Sequence, residues 1–366
     1  MEWTRRELGR LGALGVGAAV ASRLGAQETG QRKIGYCVIG LGRIADHFMR
    51  GVKNSSTCRI TGVVSGHRDK AEKIAAQYGV PAGSIYSYED MDRMRENKEI
   101  DAVYVALPNG MHAEYTIRSA KAGKHVLCEK PMCTSVTEAH AMIAACKTAN
   151  VKLMIAYRLH YEPLTLKAVQ LVRDGALGEV QGIDGSFGFN IKAGEWRLDK
   201  KLAGGGPLMD VGIYVLNAAR FVTGEEPSGF KALTAKRSND GRFKEVEETL
   251  TWTMEFPSGI LASCGTTYGG QMPGYFKVFG SKGYMEMSPA YDYEGQHLKA
   301  NYRDAAGAQT LDEASSEHDP MQFQREAEHL AQCIVRNTEP LTSGEEGLRD
   351  MEAIRRIYEQ VGIKMG

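Results

Sequence analysis

The stretch "GGGPLMDVGIY", residues 204–214, puts a carboxylate and a phenol into an otherwise apolar run. Leu208, Met209, Val211 and Ile213 lead into Val215 and Leu216, and Asp210 interrupts them with Tyr214 four residues on. On a helix, positions i and i+4 share one face. An acid buried beside a tyrosine hydroxyl is costly unless it is hydrogen-bonded or put to use. Asp210 lies three residues inside Pro207, which makes a helix-capping role awkward. A carboxylate and a phenol on one helical face suit proton transfer, with the phenol exchanging the proton and the acid orienting its neighbours.

A second constellation is "VIGLGRIA", which reads Gly40-Leu41-Gly42-Arg43-Ile44-Ala45 after an apolar strand. This is the G-x-G-x-x-A form of the dinucleotide fingerprint. Gly40 permits the tight turn, Gly42 lets the backbone approach a pyrophosphate at the helix N-terminus, and Ala45 allows close helix–strand packing. Leu41, Arg43 and Ile44 fill the intervening positions beside the nucleotide. The next strand ends "VVSGHRDK". Ser65 stands where an NAD enzyme commonly carries an acid for the ribose, with Arg68 and Lys70 just beyond and Arg43 in the glycine loop. A hydroxyl surrounded by cations suits a 2′-phosphate, so the expected cofactor is NADP rather than NAD.

Both constellations need a scaffold. From Lys33 the chain alternates short apolar runs ("KIGYCVIG", "CRITGVVSG", "IDAVYVALP", "KHVLCEKP", "VKLMIAY") with helical spacing ("RIADHFMRGVKN", "DKAEKIAAQYGV", "HAEYTIRSAKAG"). That alternation predicts a parallel sheet covered by helices on both faces, a Rossmann-type half over residues 33–156. A further helix, "YEPLTLKAVQLVRDGALG", opens the second half, 157–366. There "EVQGIDGSFGFN", "GFKALTAKRS", "EETLTWTMEF", "GILASCGTTY", "GYFKVFG" and "GYMEM" follow at close spacing, with "FPSG" as a hairpin turn. They predict a large, mostly antiparallel, open-faced sheet in an α+β domain for substrate binding and oligomerisation. Two amphipathic helices, roughly 320–336 and 345–361, are expected to close the chain.

Composition narrows the class. The chain has 366 residues, 43% hydrophobic and 25% charged, and its 45 Lys plus Arg balance 45 Asp plus Glu. No global field favours nucleic acid or an anionic membrane. The seven cysteines are scattered, odd in number and without zinc-type spacing, which fits small buried apolar residues and no metal site. The first 26 residues differ from the rest: Arg5-Arg6, a weakly apolar Gly/Ala stretch and an Ala19-Val20-Ala21 step. In that order they predict a twin-arginine signal peptide and a periplasmic protein, since the apolar segment is too short for a transmembrane helix.

"GLGRIA", "LPNGMHAE", "HVLCEKP", "YRLHYEP", "EWRL" and "GGGPLMDVGIY" occur in this order. Together they resemble the Gfo/Idh/MocA oxidoreductases over nearly the whole chain from Lys33, and most of all the glucose–fructose oxidoreductase branch; the Tyr that ends the last motif, where many members have His, resembles that branch and also the dimeric dihydrodiol and xylose dehydrogenases. The resemblance assigns Lys130 of "EKP" to the catalytic site with Asp210 and Tyr214. It implies that Leu107, Pro108, Asn109 and His112 line the cofactor ribose and that Glu129 and Lys130 meet the nicotinamide side. Arg158, Trp196, Arg197 and, from "AYDYEG", Tyr293 should reach cofactor or substrate. The Lys130-Pro131 bond is expected to be cis. Tyr214 would take the proton from a sugar hydroxyl, with the Lys130 charge favouring the phenolate and Asp210 holding the lysine and the sugar.

The implied activity is NADP-dependent oxidation of an aldose at C1 to an aldonolactone, with a second sugar able to regenerate the cofactor. An NAD-dependent glycosidase of the same fold and a sugar-sensing binding protein are the alternatives; Lys130, Asp210 and Tyr214 together argue against the second. The expected partners are a small sugar and a second copy of the chain, as a homodimer or homotetramer formed through the open sheet face.

Overall fold

Six strands whose residues are almost all buried form the first sheet: β1 (Ile34–Ile39), β2 (Cys58–Val64), β3 (Ile85–Tyr86), β4 (Ala102–Val105), β5 (His125–Glu129) and β6 (Leu153–Ala156). Every pairing is parallel and the order is β3-β2-β1-β4-β5-β6, the doubly wound arrangement that places ligands at the strands' C-terminal ends. Helices α1 (Arg43–Asn54), α2 (Arg68–Tyr78), α3 (His112–Lys121) and α4 (Val136–Thr148) make the crossovers. Sequence patterning passed over β3, only two residues long, and α4, although Ser135 caps α4 by accepting from the Glu138 N–H at 3.2 Å. The computed structural model describes residues 32–365, so the proposed export signal lies outside the described residues.

After α5 (Pro163–Arg173) comes the second sheet. Its strands are β7 (Val180–Gly188), β8 (Gly229–Ala235), β9 (Thr249–Glu255), β10 (Leu261–Thr267), β11 (Met272–Gly280), β12 (Gly283–Met287), β13 (His297–Asp304) and β14 (Gly307–Ala314). The order is β14-β13-β12-β11-β7-β10-β9-β8, antiparallel except for the parallel β7–β10 pair. The β13–β14 hairpin was not expected. Its strands alternate buried or half-buried positions with exposed ones, and few of the inward residues are strongly apolar, a weak period-2 signal at the edge of a sheet.

Short α6 (Lys200–Ala203) and the helix α7 (Ile213–Thr223) carry the Gly-rich motif between them. The chain closes with α8 (Met321–Arg336) and α9 (Gly344–Gln360), close to the expected spans. From Ile34 onward the chain packs as one unit. One apolar cluster runs from Ile39 and Val126 in the first sheet to Trp252 and Met285 in the second. All seven cysteines are free and buried, in line with the packing role expected of them.

Candidate active site

Parallel-strand ends build one wall of a cleft of about 1280 Å3, and the second sheet supplies the other. At the end of β1, Gly40 has φ +86°, and a Cβ there would lie 2.6 Å from the Ala106 carbonyl oxygen; only glycine suits that backbone. A Cβ on Gly42 would meet no protein atom within 4 Å, because this residue faces the cleft. Gly42 also leads into α1 with no side-chain cap, so the N–H groups of the first turn and the positive end of the helix dipole serve an anionic ligand. These residues fit a dinucleotide pyrophosphate.

At the end of β2, Ser65 is buried. Its hydroxyl accepts from the His67 N–H at 3.1 Å and can still donate toward the cleft. Lys70, His67 and Tyr88 line the same end. Arg68 does not line it: its Nε donates to Glu72 at 2.7 Å and one terminal nitrogen donates to the Ile85 carbonyl at 3.3 Å. The cation expected at a 2′-phosphate is thus paired along α2, one turn from Glu72, an i,i+4 arrangement any helix surface favours. His67 and Tyr88 stand in its place. Neither carries the fixed positive charge by which the sequence singles out Arg68 and Lys70.

Leu107, Pro108, Asn109 and His112 follow β4 along the cleft. Asn109 donates to the Ala203 carbonyl at 2.8 Å, tying the nucleotide side to the Gly-rich motif. The His112 ring bridges the Pro131 and Leu107 carbonyl oxygens, both at 2.8 Å. Burial lowers its pKa, and the ring braces two loops. Glu129, at the end of β5, accepts from the Tyr104 hydroxyl and from the Lys130 N–H at 3.2 Å; burial raises its carboxyl above the usual range. The Lys130-Pro131 bond is cis, as expected.

The structure brings Lys130, Asp210 and Tyr214 together. Leu208–Gly212 forms a π-helical turn ahead of α7, not the uninterrupted α-helix expected; such single turns recur at functional sites. Lys130 Nζ donates to the Asp210 carbonyl oxygen at 2.6 Å and approaches its Oδ1 at 3.4 Å. Arg197 Nε donates to Oδ2 at 2.9 Å, and the Tyr268 hydroxyl donates to the same oxygen at 2.7 Å. Burial pushes the Asp210 carboxyl up, but Lys130 and Arg197 override it and hold it at about 2. The carboxylate is already engaged by three donors, so it anchors the lysine and Arg197 and is too weak a base to collect a proton. Tyr268 was not singled out, although it is the last residue of the expected strand "GILASCGTTY".

Tyr214 lies between two cations. Lys130 Nζ is 4.6 Å and the Arg158 guanidinium carbon 5.2 Å from its ring centre. Burial opposes the lysine charge, but Tyr214 and Asp210 outweigh it, so the Lys130 pKa is raised. The Arg158 pKa is raised in the same way, burial being outweighed by Tyr214 and Tyr293. Arg158 also donates to the Asp292 carbonyl at 2.9 Å, to the Tyr291 carbonyl and to Gln322, fastening the 291–294 loop over the cleft. The Arg158 guanidinium carbon lies 4.7 Å from the centre of the Tyr293 ring, which meets His47 in a tilted contact at 4.5 Å. Phe187, Phe189, Trp196 and Tyr291 complete an aromatic wall, with Arg197 over the Trp196 ring at 4.7 Å. Of the catalytic and cofactor-binding residues expected from the sequence, Arg68 alone does not line this cleft.

A nucleotide cradle at the ends of a doubly wound sheet, facing a phenol between two cations, defines a nicotinamide-type oxidoreductase site. Family comparison agrees: residues 34–157 match the oxidoreductase family with NAD-binding Rossmann fold, and residues 165–286 match the GFO/IDH/MocA C-terminal domain. The chain belongs to the Gfo/Idh/MocA oxidoreductase family. It is 30% identical over 341 residues to D-xylose 1-dehydrogenase [NADP(+)] of Haloarcula marismortui, covering 91% of this chain and 92% of that one. The crystal structure of aldose-aldose oxidoreductase from Caulobacter crescentus, complexed with glycerol, superposes with a TM-score of 0.86 at 41% identity, covering 91% of this chain and all of that one.

Proposed function

We propose that the protein oxidises the C1 hydroxyl of an aldose to the aldonolactone with NADP as cofactor, and that a second sugar can regenerate the cofactor in the same cleft. The observation that carries this reading is Tyr214 held between Lys130 and Arg158. Tyr214 is the phenol that faces the reacting end of the cleft beside these cations, and it accepts the O1 proton on oxidation and returns it on reduction. Lys130 is fixed by Asp210, with its Nζ 4.6 Å from the centre of the Tyr214 ring. The aromatic wall packs against the C–H faces of the sugar and thins the water around the reacting carbon. NADP supplies hydride acceptance when bound; the Gly40–Ile44 turn takes its pyrophosphate, and Ser65, His67 and Lys70 its 2′-phosphate. The NADP-dependent xylose dehydrogenase and the aldose-aldose oxidoreductase support this reading by their similarity.

The test is Tyr214→Phe. The variant keeps its fold and cofactor affinity and loses kcat by on the order of 10²-fold or more, the usual share of general acid–base catalysis. The assay follows reduced-nicotinamide absorbance over a panel of aldoses and analyses the product sugars of aldose pairs. Near-native turnover would remove the phenol from the mechanism.

We further propose export by the twin-arginine route to the periplasm. Arg5→Lys with Arg6→Lys should leave active protein in the cytoplasm; fractionation showing undiminished periplasmic protein would refute it. Among the described residues no helix is long and apolar enough to cross a membrane.

A further inference from the structure

We propose that Glu247, which lines no part of the cleft, is a positioning residue of the active site: its carboxylate holds the backbone that opens the π-helical turn and so sets where Asp210 meets Lys130. Glu247 is buried just ahead of β9. Its Oε2 accepts from the Gly206 N–H at 2.8 Å, and its Oε1 accepts from the Leu208 N–H at 3.2 Å and the Tyr358 hydroxyl at 2.8 Å. Pro207, between those two donors, has no N–H. A residue forty positions away thus does what a capping side chain does locally, with a negative charge at the positive end of the helix dipole.

The glycines of the motif make room for it. A Cβ on Gly206 would lie 2.4 Å from the Glu247 carbonyl oxygen and 2.8 Å from its Oε2, and one on Gly205 would lie 2.2 Å from the Tyr358 hydroxyl. The far side of the turn is held from the end of β10, where the Tyr268 hydroxyl donates to Asp210 at 2.7 Å and the Thr266 hydroxyl, donating to the Phe187 carbonyl at 2.8 Å, lies 3.4 Å from the Pro207 carbonyl. The turn is therefore suspended between Glu247 and β10. Lys130 donates its shortest hydrogen bond to a backbone atom of this turn, the Asp210 carbonyl oxygen. A shift of the turn moves the lysine acceptor directly, and rotation of the Asp210 side chain cannot restore it. A displacement of about 1 Å at such a site can cost 10²-fold in rate.

The kinetic arm of the test rests on the function proposed above; the exchange arm does not. Glu247→Leu removes both acceptors, and Glu247→Gln restores one at the same chain length. Hydrogen–deuterium exchange over residues 204–214 is expected to quicken in Gln and more in Leu. The kcat should fall by roughly 10²-fold in Leu and partly recover in Gln, with NADPH affinity, read by fluorescence titration, unchanged. A native protein inert to every aldose would count against the sugar reading but leave the exchange order to decide the role of Glu247. Native kcat in Glu247→Leu overturns the proposal, as does NADPH affinity lost in parallel with kcat. Should Glu247→Leu fail to fold, Tyr358→Phe removes one donor and leaves the carboxylate: faster exchange with lower kcat upholds the proposal, and unchanged exchange and kcat overturn it.

Discussion

At residue scale, the site is a contest between burial and neighbouring charge, and charge wins at the three groups that matter. Asp210 is half-enclosed yet ionised to about pH 2, and Lys130 and Arg158 stay cationic inside the protein. Without its counter-ions each would be expensive to bury. The nucleotide end makes a sharper statement, because Arg68 and Lys70 looked equivalent in the sequence and are not equivalent in space. Lys70→Ala should weaken NADPH binding by about 1–3 kcal/mol, the cost of removing a partner from a charged hydrogen bond. Arg68→Ala, which breaks a surface pair with Glu72, should leave it unchanged. Ser65→Asp should lower NADP affinity by a similar amount by opposing the phosphate. Fluorescence titration of the three variants decides this; equal losses at Lys70 and Arg68 would move the phosphate site.

At element scale, the 158–161 turn and α7 bring Arg158 and Tyr214 into register, and a buried polar network joins them. His160 Nε2 faces the Asn217 side-chain oxygen at 2.7 Å, and the ring stacks on Phe221 at 3.8 Å. Asn217 in turn donates to Asp350 on α9 at 3.0 Å. Burial lowers the His160 pKa to about 4. The folded state therefore binds fewer protons than the unfolded chain between about pH 6.5 and pH 4. The stability from neutral His160 is complete above pH 6.5 and is lost as the pH falls toward 4. The same sign applies to His329, also lowered to about 4 by burial. The melting temperature should fall through this window. His160→Gln, which has no proton to gain, should fall less steeply; parallel slopes would assign the acid sensitivity elsewhere.

At the scale of the molecule, the second sheet has one face against helices and one open. Register pairs Leu261 with Gly182, Gly182 with Phe279, and Phe279 with Tyr284. Leu261, Phe279 and Tyr284 therefore form one cross-strand row, each more than 40% exposed. Such a row on an open sheet suits a self-complementary contact between two copies. We expect a dimer or a pair of dimers in solution, and Leu261→Glu with Phe279→Glu should shift it to monomer by light scattering. A native mass unchanged in that variant would place the contact elsewhere.

Much of this architecture was legible because local rules carry it. Buried parallel strands read as continuous apolar runs, the glycine fingerprint marks a backbone geometry, and Asp210 with Tyr214 stands out from an apolar helix. The sequence by itself determined the two sheet types, the nucleotide end and most of the residues that line the cleft. It did not reveal β3 or the β13–β14 hairpin, where the segments are too short or too polar for periodicity to register. It could not tell Arg68 from Lys70, because which of two neighbours on a helix finds a carboxylate depends on side-chain direction. Tyr268 and Glu247 reach Asp210 and its turn from the ends of other strands, 58 and 41 residues away from their partners. Contacts at that separation leave no local period, so the tertiary structure alone decided that Asp210 is an anchor and that Tyr214 sits between two cations.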